Sequence, residues 1–83
     1  MKIIEKKILP QFFNDILKNN KRFEYRQDDD NILPGDILIL REWDSLYTGR
    51  QIKTEVIYVL RNVPHFLLPL NMCIIGFNII DQS

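Results

Sequence analysis

The apolar positions change their period along the chain, and each change marks an element. Residues 2–8 set Ile3, Ile4 and Ile8 among charged residues and read as a strand of mixed character. Leu9, Phe12, Phe13, Ile16 and Leu17 then recur at helical spacing, one apolar stripe of a short helix. Pro10 suits its first turn, where a missing N–H costs nothing, and Asn19-Asn20 ends it, because Asn tolerates the left-handed backbone that closes helices. Residues 22–27 alternate charged and aromatic side chains. As a strand they place Arg22, Glu24 and Arg26 on one face and Phe23 and Tyr25 on the other. The aromatic face is expected to enter a core and the charged face to look onto a surface or a cleft. Asp28 to Pro34 is a loop with Pro34-Gly35 as a turn. From Asp36 to Trp43 the apolar run Ile37-Leu38-Ile39-Leu40 predicts a strand buried on both faces. Asp44 to Gly49 reads as a hairpin loop and Gln51 to Leu60 as a long strand. Asn62 to Asn71 is irregular, with Pro64 and Pro69. Met72 to Ile80 is a last strand in which Gly76 marks a bulge or a close backbone approach.

Five strands and one early helix predict a mainly β (α+β) fold, a single domain over residues 1–83. A small open β-barrel, mixed or antiparallel, with the helix plugging one end satisfies the pattern, since curling the sheet manages its exposed edges. With 83 residues, one core must serve the whole chain.

Charge alters the picture more than composition does. Lys plus Arg equals Asp plus Glu at 11 each, but residues 1–26 hold seven basic against three acidic residues, and residues 27–44 hold one against six. A neutral chain argues against a general polyanion binder and for a small shaped site with a local basic lining, with few phosphate contacts and a shallow salt dependence. The run Asp28-Asp29-Asp30 is expected to repel nucleic acid from one rim. No apolar run reaches the length of a membrane span, and the charged start Met1-Lys-Ile-Ile-Glu-Lys-Lys7 lacks the apolar stretch of a signal peptide. The one cysteine, Cys73, has no partner for a disulfide within the chain. These features point to a cytoplasmic protein.

The candidate chemistry centres on Lys21, Glu24 and Arg26. Lys21 reads either as a solvated turn lysine or as a point charge for a phosphate, a base or a nucleophile. Arg26 can make planar bidentate contacts with a phosphate or a guanine edge. Glu24 can accept from base amino groups, or pair with Arg26 as architecture. Trp43 ends a strand beside a loop and suits either base stacking or a plug of the barrel end, and Tyr47 and Arg50 flank the same hairpin. Phe12, Phe13, Phe23, Phe66, Phe77 and Tyr25 read as core. His65 stands without a second histidine or a suitably spaced cysteine, so no metal site is expected. The chain also has no Gly-rich phosphate loop, and no cofactor is expected.

The stretch Lys21-Arg-Phe-Glu24-Tyr-Arg26, followed by Gly35-Asp-Ile-Leu-Ile-Leu-Arg-Glu-Trp43 and Tyr47-Thr-Gly-Arg50, resembles the ASCH domain (activating signal cointegrator homology) of the PUA-like superfamily. The likeness is to its small stand-alone bacterial and phage members. Lys21, Glu24 and Arg26 fall on the last three positions of that family's Gly-x-Lys-x-x-Glu-x-Arg motif, and Asn19 stands where the glycine would be. The resemblance implies a PUA-like open β-barrel whose motif lines a cleft that binds RNA or a nucleotide. Relatives that hydrolyse acetylated cytidine share the motif lysine but add a threonine and a distal glutamate. Here Glu24 stands at the equivalent of the threonine, and 62–72 contains no carboxylate. Two rival readings accompany RNA binding. One is a small hydrolase acting on a modified nucleoside or RNA with Lys21 as catalytic group. The other is a protein-interaction module using Phe66-Leu67-Leu68.

Overall fold

A computed structural model of the chain describes residues 1–82. Its elements are β1 (Ile3–Ile8), α1 (Pro10–Leu17), β2 (Phe23–Gln27), β3 (Ile37–Trp43), β4 (Tyr47–Leu60) and β5 (Met72–Gln82). The strands form one sheet in the order β1-β3-β4-β5-β2. β1 runs parallel to β3, and the other pairs are antiparallel. The two strands nearest the N-terminus are thus the two edges, and the sheet curls into an open barrel with one short helix.

Alternation decides what the barrel encloses. Leu38 and Leu40 of β3, Ile52 and Val56 of β4, and Cys73, Ile75 and Phe77 of β5 all face inward and are buried. Phe13 and Ile16 of α1 pack into this core. Thr54 is buried among them because its hydroxyl donates to the Leu38 carbonyl at 2.7 Å. Phe12, next to Phe13 on the helix, is turned by about 100° from it and is left partly exposed. Pro10 is the first helical residue, and Asn19 just past the helix has φ of 65°, as the turn residues predict.

The hairpin is tighter than its composition suggests. Trp43 pairs with Tyr47, so only Asp44, Ser45 and Leu46 connect β3 to β4, with Ser45 in the left-handed region at φ 64°. The extra residues that looked like loop lie in a β-bulge. Arg41 pairs with Gln51 and Trp43 with Tyr47, so Thr48, Gly49 and Arg50 together stand opposite Glu42. Gly49 has φ of 93°, a conformation that a side chain resists. A second bulge lies between Val56 and Tyr58, where Ile57 is the unpaired residue and Tyr58 stands opposite Gly76.

The gap between the edge strands is bridged by side chains. The Arg26 guanidinium donates through Nη2 to the Lys7 carbonyl, joining β2 to β1. Lys6 of β1 reaches Asp30 and, at 3.3 Å, Asp29. Lys2 reaches Asp36 at 3.1 Å and the Asn31 carbonyl at 2.8 Å. Asp28 holds Arg61 through two hydrogen bonds of 2.6 and 2.9 Å. All three aspartates of the run are therefore paired in place, Asp29 and Asp30 with Lys6 of β1 and Asp28 with Arg61. The run is not an unpaired rim, and Lys2 and Lys6 tie the basic N-terminal stretch to the acidic one that follows.

Candidate functional site

Beside the seam lies a cleft of about 460 Å³, bordered by the end of β1, the start of α1 and the whole motif strand. Lys21, Glu24 and Arg26 line it together with Phe12, Phe23 and Tyr25. The motif strand faces the opposite way from the sequence expectation. Glu24 and Arg26 point inward, with Glu24 only 5% exposed, whereas Phe23 and Tyr25 are 48% and 50% exposed. A carboxylate can be buried there because both its oxygens are paired. Oε1 accepts from Lys21, and Oε2 accepts from Arg26 Nε at 2.9 Å. Lys21 also donates to the Phe23 carbonyl at 2.7 Å, and its ammonium sits 5.5 Å and 5.1 Å from the ring centres of Phe12 and Phe23. Asn19 serves this arrangement beyond its φ: its side-chain oxygen accepts from Arg22 Nε at 2.6 Å, which a glycine at that position could not do.

The remaining sequence candidates divide. Trp43 and Tyr47 face the outside of the sheet and are bound to the cleft through one residue. Lys7 lines the cleft and places its ammonium 4.6 Å over the Trp43 ring and 6.0 Å from that of Tyr47. Arg41, the register partner of Lys7, also lies over the Tyr47 ring, 4.0 Å from its centre. Arg50 does not join them. The bulge turns Thr48 and Arg50 onto the buried Glu42, which accepts from the Thr48 hydroxyl at 2.6 Å and from Arg50 at 2.8 and 2.7 Å. Arg50 lies over the Phe13 ring at 4.6 Å, against a separate depression with Leu17 and Gln82. These bonds hold the Glu42 carboxyl at about 2, well below its ordinary value, with the Arg50 contact the larger cause. Arg50 is thus a structural partner of Glu42, and the cleft is built without it.

Sequence reasoning missed Lys7, Phe12, Phe23 and Tyr25 as cleft residues. The available signal was the pair of cations at Lys21 and Arg26, which flank Glu24 closely enough to satisfy a buried carboxylate and so free the aromatic face for solvent. Elsewhere, Phe66 and Leu67 are exposed as a contact patch would require, but Leu68 is buried and roofs a small cavity of about 150 Å³ next to the Asp28–Arg61 pair. Cys73 is buried, and burial pushes its thiol up from the ordinary value. No helix among the described residues is long and apolar enough to cross a membrane.

The chain is 39% identical over 56 residues to an "Uncharacterized 12.9 kDa protein in GpA 3'region" of Escherichia phage P2. The matched stretch is 66% of this chain and 51% of the phage protein, so the chain spans about half the length of that relative. Residues 3–77 match the family model described as "Domain of unknown function (DUF3850)". That span runs from the first residue of β1 into β5 and contains every residue of the cleft, and the chain belongs to the DUF3850 family.

Proposed function

We propose that this protein is an ASCH-like, PUA-like domain that binds RNA or a nucleotide in the cleft, with one base held between the aromatic walls and the Lys21–Glu24–Arg26 array. The observation that carries the reading is the unused hydrogen-bonding capacity of that array. Arg26 has five N–H groups and engages two, on Glu24 and Lys7, which leaves three. Lys21 has three and engages two, which leaves one. Each Glu24 oxygen accepts one bond and has a lone pair to spare. Donors and an acceptor side by side match the mixed edge of a nucleobase, and exposed aromatic rings match its faces. The volume suits one nucleotide rather than a duplex. Lys7, which pairs with no carboxylate among the described residues, stands at the mouth for a phosphate.

Binding is favoured over hydrolysis because Glu24 is the cleft's one carboxylate, and it is already committed to two cations. The test is calorimetric titration with short single-stranded RNAs and with free and acetylated nucleosides. Binding should be saturable, and Lys21→Met should weaken it at least tenfold, a loss of about 1.4 kcal/mol. Binding that is unchanged by Lys21→Met, or absent with the whole panel, would sink the reading.

A further inference from the structure

The outer face of β2, β5 and β4 carries a feature that the cleft does not use. Phe23 and Tyr58 both pair with Gly76, one from each side. Glu24, opposite Ile75, faces inward with it, so Phe23, Gly76 and Tyr58 face outward in one row across three strands. The bulge at Ile57 puts Tyr58 in that row. Without the extra residue, the alternation from inward-facing Val56 would place Ile57 there instead. Tyr58 is 63% exposed.

Strands lie roughly 4.8 Å apart, so the backbones of Phe23 and Tyr58 are separated by roughly 10 Å with no side chain between them. A ring sandwiched between two others needs about 3.5 Å on each side, or roughly 7 Å in all. The strip above Gly76 therefore has the width of one planar ring. It is also open: a Cβ placed on Gly76 would meet only Tyr58, at 3.7 and 3.8 Å, and nothing of Phe23 within 4 Å. Charge lies at its end. Arg22 reaches Asn78, two residues along β5 from Gly76, at 3.5 Å and pairs with no carboxylate among the described residues. Phe23 is the wall shared with the cleft.

We propose that the strip above Gly76, between Phe23 and Tyr58, is a second base-stacking subsite that takes the base next to the one in the cleft, on the same single strand of RNA. Arg22 contacts the phosphate of that nucleotide. The proposal rests on the nucleotide-binding reading of the cleft and deepens it, because two adjoining subsites make the protein a reader of strands rather than of free nucleotides.

The experiment follows the amides and aromatic rings of the labelled protein by NMR during titration with the four 5′-mononucleotides and with single-base RNA hexamers. Mononucleotides should move the cleft residues alone, Lys7, Phe12, Lys21 and 23–26. Hexamers should also move the Gly76 amide and the Tyr58 ring and bind at least ~5-fold tighter, the lower end of what one stacked base contributes. Gly76→Val fills the strip with a residue suited to strands. It should return hexamer affinity to the mononucleotide level and leave mononucleotide affinity unchanged. Tyr58→Ser, at an exposed position, should do the same. Hexamer shifts confined to the cleft, or full hexamer affinity in both variants, overturn the subsite and leave the cleft reading standing. Shifts at Gly76, Tyr58 and Phe23 without any at Lys7, Lys21, Glu24 or Arg26 support stacking in the strip and remove the cleft reading. Silence at both places overturns both, and shifts at Gly76 and Tyr58 that track protein concentration without RNA overturn the subsite in favour of a second copy of the chain.

Discussion

Arg26→Ala should destabilise the fold by about 3 kcal/mol, although the side chain lies at the margin of the molecule. The change strands Glu24, which is 5% exposed and loses the 2.9 Å bond to Arg26 Nε. Losing a charged partner at a buried acceptor costs roughly 1.5–3 kcal/mol. Lys21 stays bound to the other oxygen, which keeps the loss below the ~3–5 kcal/mol of a buried charge with no partner at all. The bond across the seam to the Lys7 carbonyl is lost too. That carbonyl is at an exposed residue and regains water, so it adds only about 0.5–1 kcal/mol. In a domain of this size, about 3 kcal/mol lowers the midpoint of thermal unfolding by roughly 12–24 °C. The informative comparison is the double variant Glu24→Gln/Arg26→Ala. Glu24→Gln leaves no buried carboxylate short of a partner, and the Lys21 ammonium keeps the Phe23 carbonyl and the amide oxygen, so the double variant should be at least ~1 kcal/mol more stable than Arg26→Ala. Urea and thermal unfolding followed by circular dichroism measure both. A single variant within ~1 kcal/mol of the parent, or a double variant no more stable than the single, would refute the idea that Arg26 closes the seam by holding a buried carboxylate.

Two further predictions come from the other side of the barrel and the base of the seam. Glu42 and Asp36 both titrate near 2 in the fold, against ordinary values of 4.5 and 3.8; for Asp36 the leading cause is the Lys2 backbone N–H, followed by that of Leu33. Values lowered by folding give stability that is full above about pH 4.5 and is lost as pH falls through 2, so urea midpoints should drop along that range and Glu42→Gln should flatten the drop. Equal midpoints at pH 7 and pH 2.5 would contradict this. Gly49→Ala places a side chain at φ 93° in the bulge and should cost about 1–3 kcal/mol in urea unfolding while loosening Thr48 and Arg50 from Glu42; an unchanged midpoint would mean that the bulge tolerates another backbone.

The elements were readable because each rests on local chemistry. The helix, Pro10, Asn19 and the strand at 37–43 need nothing from distant residues and lie where the pattern puts them, although Leu9 and Phe12 of the helical stripe stay exposed. The correct pairing of faces in β2 was readable too, but not which face turns inward. Period two groups Glu24 with Arg26, and the choice of inside then depends on transfer free energies. Two aromatics would outweigh a bare carboxylate, but a carboxylate with two cations reverses the order. The fate of Arg50 was hidden for a different reason. Its partner Glu42 lies across a bulge whose extra residues, Thr48 and Gly49, look in sequence like the loop they adjoin. The seam required knowing that β1 and β2, neighbours in sequence, end on opposite edges of the sheet.

That order of strands also sets a timetable. β3, β4 and β5 are joined by consecutive antiparallel pairings, each closing a short stretch of chain. β1 must wait for β3, some thirty residues later in the sequence, and β2 for β5, about fifty residues later. During synthesis residues 3–27 emerge carrying the whole motif and every residue that lines the cleft, with nothing to pair against until residues 37–77 follow. The meander is the part that can form early; the cleft is assembled last, when its two walls arrive from opposite edges. Pulse-labelled exchange during refolding should accordingly protect amides of 52–60 before those of 3–8 and 23–27. A cleft whose walls dock late is also the part that can part first, leaving the meander intact, so the site is the least permanent region of a small fold.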